Sequence, residues 1–202
     1  MKALLVIDVQ NDFCPGGALE VRKGDEIVPG INKIMSKFDL VVASQDWHPA
    51  DHGSFASKHS RNPGEVIELC GLSQILWPDH CVENTVGAEF HRDLQTEAFD
   101  AVFTKGGNPQ IDSYSAFYDN GHLQKTGLDD YLKSKGVEAV YICGLATDFC
   151  VKYSALDAVA LGYATFLLDD LCRGVDINAG DIFKAKQEMK QKGVGVINSE
   201  EL

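Results

Sequence analysis

The sequence predicts an α/β domain, a mostly parallel β-sheet with helices on both faces. Two observations carry this. Short apolar runs alternate with amphipathic stretches along the whole chain. The first run, ALLVIDV, is nearly continuously apolar rather than alternating, as in a strand buried on both faces. With 202 residues, 45% hydrophobic and 24% charged, the composition suits a single globular domain over residues 1–202.

Taken in order, Ala3 to Val9 reads as the first strand. Asp25 to Phe38 reads as a helix, because Ile27, Ile31, Ile34 and Phe38 recur at helical spacing. Pro29 falls within its first turns, where a missing N–H costs little. Leu40 to Ser44 is the second strand, and His48 to Asn84, rich in His, Pro, Gly and Ser, is irregular. Ala101 to Lys105 is the third strand. Leu128 to Ser134 is a helix ended by Lys135-Gly136. Ala139 to Cys143 is the fourth strand. Asp148 to Leu161 is expected to be helical, capped by Thr147 and stopped by Gly162. Ala164 to Leu168 is the fifth strand, Asn178 to Lys192 a helix ended by Gly193, and Val194 to Ile197 the sixth strand.

The formal net charge of -12 argues against nucleic acid and against an anionic membrane surface, both of which need clustered Lys and Arg. No stretch approaches the roughly 20 apolar residues of a membrane span. The N-terminus MKALLVIDVQ has no small-residue cleavage pattern, so a cytoplasmic location is expected. Cysteines 14, 70, 81, 143, 150 and 172 form no C-x-x-C pair and are expected to be free thiols.

In a sheet of this kind ligands bind beyond the carboxyl ends of the strands. Those ends carry Asp8, then Asp46 and His48, then Lys105, then the run Gly144 to Cys150. A lone cysteine is more often a small buried hydrophobe than a nucleophile. Cys150, however, falls in the first turn of the helix expected from Thr147, where free N–H groups and the helix dipole favour a thiolate and can hold an oxyanion. Asp8 could take the thiol proton and later deliver it, while Lys105 holds Asp8 ionised and lowers the thiol pKa. In Asp46-Trp47-His48, residues two apart point the same way, which offers an oxygen and a nitrogen ligand together. His80 would complete an open two-His, one-carboxylate site suited to zinc, iron or manganese, with His52 as a candidate fourth ligand. His59, His91 and His122 read as surface residues. Phe13, Trp77 and Tyr114 lie near these motifs and could form a slot that stacks a flat ring.

DVQNDFCPGGAL from Asp8, SQDWHPADHGSF from Ser44, WPDHCVENTVGAEFH from Trp77, TKGGNPQIDSYSAF from Thr104 and GLATDFCV from Gly144 resemble the motifs of bacterial nicotinamidases, among the isochorismatase-like cysteine hydrolases. The likeness spans nearly the whole chain and keeps the motif order. It implies a three-layer α/β/α domain around a six-stranded, mainly parallel sheet. It implies hydrolysis of nicotinamide to nicotinate and ammonia through a cysteine thioester, in NAD salvage, with pyrazinamide as a further substrate. The catalytic residues of the family fall on Asp8, Lys105 and Cys150. Its metal ligands fall on Asp46, His48 and His80, which would hold one divalent ion, zinc first, with iron and manganese as alternatives. Its oxyanion hole falls on the N–H groups of Ala146 and Cys150, beside a cis peptide at Leu145-Ala146. Its ring-binding aromatics fall on Phe13 and Trp77, with Tyr114 nearby. Some relatives add a metal ligand in the loop after D-x-H, where His52 is the nearest match and is left unassigned. The expected partner is a small molecule, with no nucleic acid and no membrane; a homo-oligomer is compatible.

Relatives acting on N-carbamoyl or ureido substrates share the triad but generally lack the metal motif, which D-W-H and WPDH supply here. Isochorismatases proper do not use the cysteine. A purely binding protein needs no reactive thiol, and no G-x-G-x-x-G follows the first strand to bind a dinucleotide.

Overall fold

The computed structural model describes residues 1–202. In chain order the elements are β1 (Lys2–Ile7), α1 (Val28–Met35), β2 (Leu40–Asp46), β3 (Val66–Leu69), β4 (Leu72–Ile75), β5 (Ala101–Lys105), α2 (Leu128–Ser134), β6 (Ala139–Leu145), α3 (Lys152–Ala160), β7 (Ala164–Arg173), α4 (Asp181–Gln191) and β8 (Gly195–Ile197). The main sheet runs β5-β2-β1-β6-β7-β8, and all neighbouring strands in it are parallel. The chain winds outward from β1 in one direction and from β6 in the other. Right-handed crossovers then place α1 on one face and α3 and α4 on the opposite face. β7 is covered from both sides, by α1 and α3. The reversal between β1 and β6 is where such sheets open a crevice, and the strand ends beside it carry the polar residues read above.

The six strands fall where the apolar runs place them, although β1 stops at Ile7 rather than Val9, β8 starts at Gly195 rather than Val194, and several others run further. β2 extends to Asp46 and β6 to Leu145. β7 continues to Arg173 because pairing with β6 resumes after extra residues in β7, with Ile142 opposite Leu167, then Gly144 opposite Cys172 and Leu145 opposite Arg173. α1 starts only at Val28, after a short 3-10 turn over Gly24–Ile27, with Pro29 in its first turn. The helix expected from Asp148 is in two pieces. Thr147–Val151 forms a π-type turn in which Phe149 is non-helical (φ -124, ψ -105), and α3 begins only at Lys152. Thr147 makes no side-chain cap. α4 starts at Asp181, later than expected.

The segment from His48 to Asn84 is not wholly irregular. It contains the antiparallel β3-β4 hairpin, closed by Cys70 (φ 50) and Gly71 (φ 79). Both turn residues are left-handed, as a two-residue type I′ hairpin requires. The four residues of β3 have no buried position, so no apolar pattern marks them. No helix is long and apolar enough to cross a membrane.

Candidate active site

Asp8 follows β1 with a left-handed backbone (φ 46), which turns its side chain off the strand into the crevice. It is fully buried, and Ser44 Oγ donates to its Oδ1 at 2.6 Å. Lys105 ends β5 directly opposite Asp46 of β2. Its Nζ lies 2.9 Å from Asp8 Oδ2 and donates to Asp46 Oδ1 at 2.7 Å, to Ser113 O at 2.9 Å and toward Cys150 Sγ at 3.5 Å. Cys150 sits in the π-type turn that follows β6. Gly144 (φ +119) lets that strand end lie against β1, since a Cβ there would overlap the Ile7 backbone. One ammonium therefore joins two carboxylates and a thiol, all buried.

The electrostatics depart from the sequence reading in one respect. Burial raises the Cys150 thiol well above its usual value. Lys105 opposes this, but Asp8 and Asp46 add to it. These influences favour the protonated thiol, and Asp8 is placed to take its proton as Sγ attacks. Burial also raises the Asp8 carboxyl, with Lys105 opposing and Asp46 adding. A carboxyl raised in this way is a better proton acceptor. Burial alone would raise Asp46 too, but Lys105 and His48 outweigh it and hold that carboxyl well below its usual range.

Asp46 Oδ2 faces two imidazoles, His48 Nε2 at 3.2 Å and His80 Nε2 at 3.6 Å. Each ring is oriented by a carbonyl at its other nitrogen: His48 Nδ1 donates to Gly106 O and His80 Nδ1 to Pro78 O, both at 2.8 Å. This leaves both Nε2 atoms turned inward. His48 Nε2 is buried without a hydrogen-bond partner. The ligating atoms of Asp46, His48 and His80 all lie within 4.8 Å of one another. Two nitrogens and one carboxylate oxygen, with a buried Nε2 that has no hydrogen-bond partner, fit a divalent cation that retains open positions.

His52 is buried, with its ring centroid 4.3 Å from that of His48, and it clusters with His48 and Asp112 rather than with Asp46 and His80. Its Nδ1 accepts the Ser54 N–H at 3.2 Å. Burial, reinforced by His48, lowers its pKa to about 4, so the ring is neutral. His122 is exposed, whereas His59 and His91 are half-buried and not surface residues in the full sense. His59 Nε2 bonds Gly53 O at 2.8 Å, which explains its partial burial.

Phe13, Trp77 and Tyr114 line one narrow cavity with Cys150, Asp46, His80 and Ala146. The Phe13 ring lies 5.5 Å from the His80 ring, and Trp77 meets Phe149 edge-on at 4.9 Å. Trp77 Nε1 donates to Tyr114 Oη at 3.1 Å, which fixes the indole against the phenol. The peptide Leu145-Ala146 is cis, as the family resemblance implied. The Ala146 N–H has no backbone acceptor. Sequence reasoning missed Leu19, Asp112, Phe149 and Val175, which complete the lining. Leu19, Asp112 and Phe149 stand inside the quoted motifs and could have been read there; Val175 follows β7 in a stretch without a motif.

Residues 2–201 match the family described as the isochorismatase domain. The nicotinamidase of Escherichia coli (strain K12) is 51% identical over 196 residues, covering 95% of this chain and 92% of the relative. A solved nicotinamidase/pyrazinamidase of Acinetobacter baumanii superposes with a TM-score of 0.96 at 48% identity, over 99% of this chain and 97% of that one. The pyrazinamidase of Pyrococcus horikoshii, solved in complex with zinc, gives a TM-score of 0.80 at 38% identity over 98% of each chain.

Proposed function

The chain belongs to the isochorismatase-domain family and, within it, to the nicotinamidases, and on that premise we propose how its own side chains deamidate nicotinamide. It is an amidohydrolase that converts nicotinamide to nicotinate and ammonia. Cys150 Sγ attacks the carboxamide carbon as its proton passes to Asp8. The N–H groups of Ala146 and Cys150 receive the oxyanion. The C–N bond breaks as Asp8 hands the proton to the departing nitrogen, and ammonia leaves a thioester on Cys150. Water then adds to the thioester carbon with Asp8 as base. The C–S bond breaks, the proton returns to sulfur, and nicotinate is released. Lys105 stays protonated throughout and balances Asp8 and Asp46.

Phe13 and Trp77 flank the pyridine ring, and Tyr114 holds the indole in place. Asp46, His48 and His80 would hold one divalent cation, with zinc the best match to the donors and iron or manganese as alternatives. Bound there, the ion supplies a Lewis-acid site for the lone pair of the ring nitrogen. Pyrazinamide keeps a nitrogen at that ring position and is expected as a second substrate. The reaction belongs to NAD salvage. Six free thiols suit the reducing cytoplasm in which we place it.

The observation that carries this reading is the single Lys105 ammonium, 2.9 Å from Asp8 and 3.5 Å from Cys150 Sγ. The test is ammonia release from nicotinamide by purified protein before and after chelation. Release that chelation removes and added metal restores supports both substrate and metal site. No release from metal-loaded, reduced protein would remove the reading.

A further inference from the structure

We propose that Gln10 and Asp12 are positioning residues that hold the three metal-ligand residues in place from behind. The inference rests on the reading that Asp46, His48 and His80 bind the cation. It concerns the part of the first motif that the chemistry leaves unused: Asp8 reacts and Phe13 flanks the ring, but neither role explains Gln10 or Asp12.

Gln10 is fully buried and spends its whole amide on neighbouring backbone. Its Oε1 accepts the Asp46 N–H at 2.8 Å, and its Nε2 donates to Asp46 O and to Ala88 O, each at 2.8 Å. Both backbone groups of one ligand residue are thus gripped by a single side chain. The Gln10 N–H itself bonds Asp8 O at 2.8 Å, so this grip starts from the catalytic turn.

Asp12 reaches the other two ligands through one residue, Cys81. Its Oδ2 accepts the Cys81 N–H at 2.7 Å, on the bond that follows His80. Cys81 O in turn accepts the His48 N–H at 3.0 Å. Its Oδ1 accepts the Ala18 N–H at 3.1 Å, which ties in the loop before the pocket residue Leu19. A Cβ at Gly87 would overlap the Asp12 carboxylate, so the opposite loop is built to admit it.

The need for such ties follows from where the ligands stand. His80 lies in irregular chain, and Cys81 is left-handed (φ 46). Irregular chain must be ordered before it can present ligands at fixed separation, and that ordering is entropically costly. Supporting groups fixed in advance reduce the cost at the moment of metal binding. Asn11, between the two, provides the contrast. Its Nδ2 donates to Val86 O at 2.7 Å, a tie to the same opposite loop but to no ligand-bearing residue.

The experiment measures zinc affinity by competition with a chromophoric chelator, together with the melting temperature of the chelator-stripped protein. The proteins are the wild type, Gln10→Met, Asp12→Asn, Asn11→Ala and His48→Ala. Gln10→Met and Asp12→Asn are expected to weaken zinc binding by about tenfold or more, while Asn11→Ala binds as the wild type does. If Gln10→Met does not fold, Asp12→Asn decides, since Asp12 is only half-buried. Wild-type affinity in both variants would overturn the proposal, as would an equal loss in Asn11→Ala. Wild-type affinity in His48→Ala would instead bring down the three-ligand reading on which it rests.

Discussion

The strand ends and the long excursion from Trp47 to Asn84 build two halves of one site by different means. Asp8, Lys105 and Cys150 stand at or just beyond the ends of parallel strands, where register places them and burial strengthens every charge among them. His48, Trp77 and His80 stand on chain with no ladder of its own, held by carbonyls, an aromatic partner and the side chains of the first motif. Asp46 belongs to both, since its Oδ1 takes Lys105 and its Oδ2 faces the two histidines. The nucleophilic half therefore depends on charge compensation in a dry site, and the metal half on ties between loops. Each half should fail in its own way.

The largest effect is expected from Cys150→Ala. Turnover should fall by roughly ten-thousand-fold or more, as when one member of a cooperating set is removed, while zinc content stays at the wild-type level. Loss of zinc in that variant would show that the two halves are not separable.

Next is Lys105→Met. It leaves Asp8 and Asp46 buried without their cation, which costs on the order of 3–5 kcal/mol for a broken buried pair. The raised Asp8 carboxyl can relieve part of this by taking a proton, so the loss should lie toward the lower end. Denaturant unfolding measures it, and unchanged stability would mean that the carboxylates do not depend on this ammonium.

A smaller effect concerns pH. Burial lifts the Cys150 thiol above its usual 9.0. Burial works against the Lys105 charge, but Asp46 and Asp8 outweigh it and lift that group above its usual 10.5. Both groups hold protons more tightly folded than unfolded. Their contribution is complete below the unfolded values and is lost as pH rises toward the folded ones. The melting temperature should fall above about pH 9, and less steeply in Cys150→Ala; identical slopes would contradict the buried-thiol assignment.

How much of this was legible in the sequence differs between the same two regions. Apolar runs marked all six strands of the main sheet; β1 is nearly continuously apolar because it is buried on both faces, whereas the edge strands β5 and β8 are only partly buried. The strand ends delivered Asp8, Asp46, Lys105 and Cys150 to one rim. The β3-β4 hairpin was missed because β3 has no buried face and its turn is Cys-Gly rather than Asn-Gly. The break at Phe149 was missed because the residues from Thr147 onward read as a capped helix, while the close approach of Gly144 to β1 is a long-range contact. The opposition to a thiolate was missed for a related reason. A helix start favours a thiolate, but two carboxylates and full burial, visible only in three dimensions, oppose it. Val175 lines the pocket from the chain after β7, where Asp148 Oδ1 accepts its N–H at 2.9 Å, a contact with no local signature.

The central claim is that Cys150 forms a covalent bond with the substrate while Asp8 moves the proton. Its most direct measurement is the intact mass of wild-type protein quenched in acid during nicotinamide turnover, with the adduct mapped by peptide analysis. A nicotinoyl group on Cys150, absent from Cys150→Ala, is the predicted result. Continued turnover in Cys150→Ala, or a nicotinoyl adduct on another residue, would contradict it.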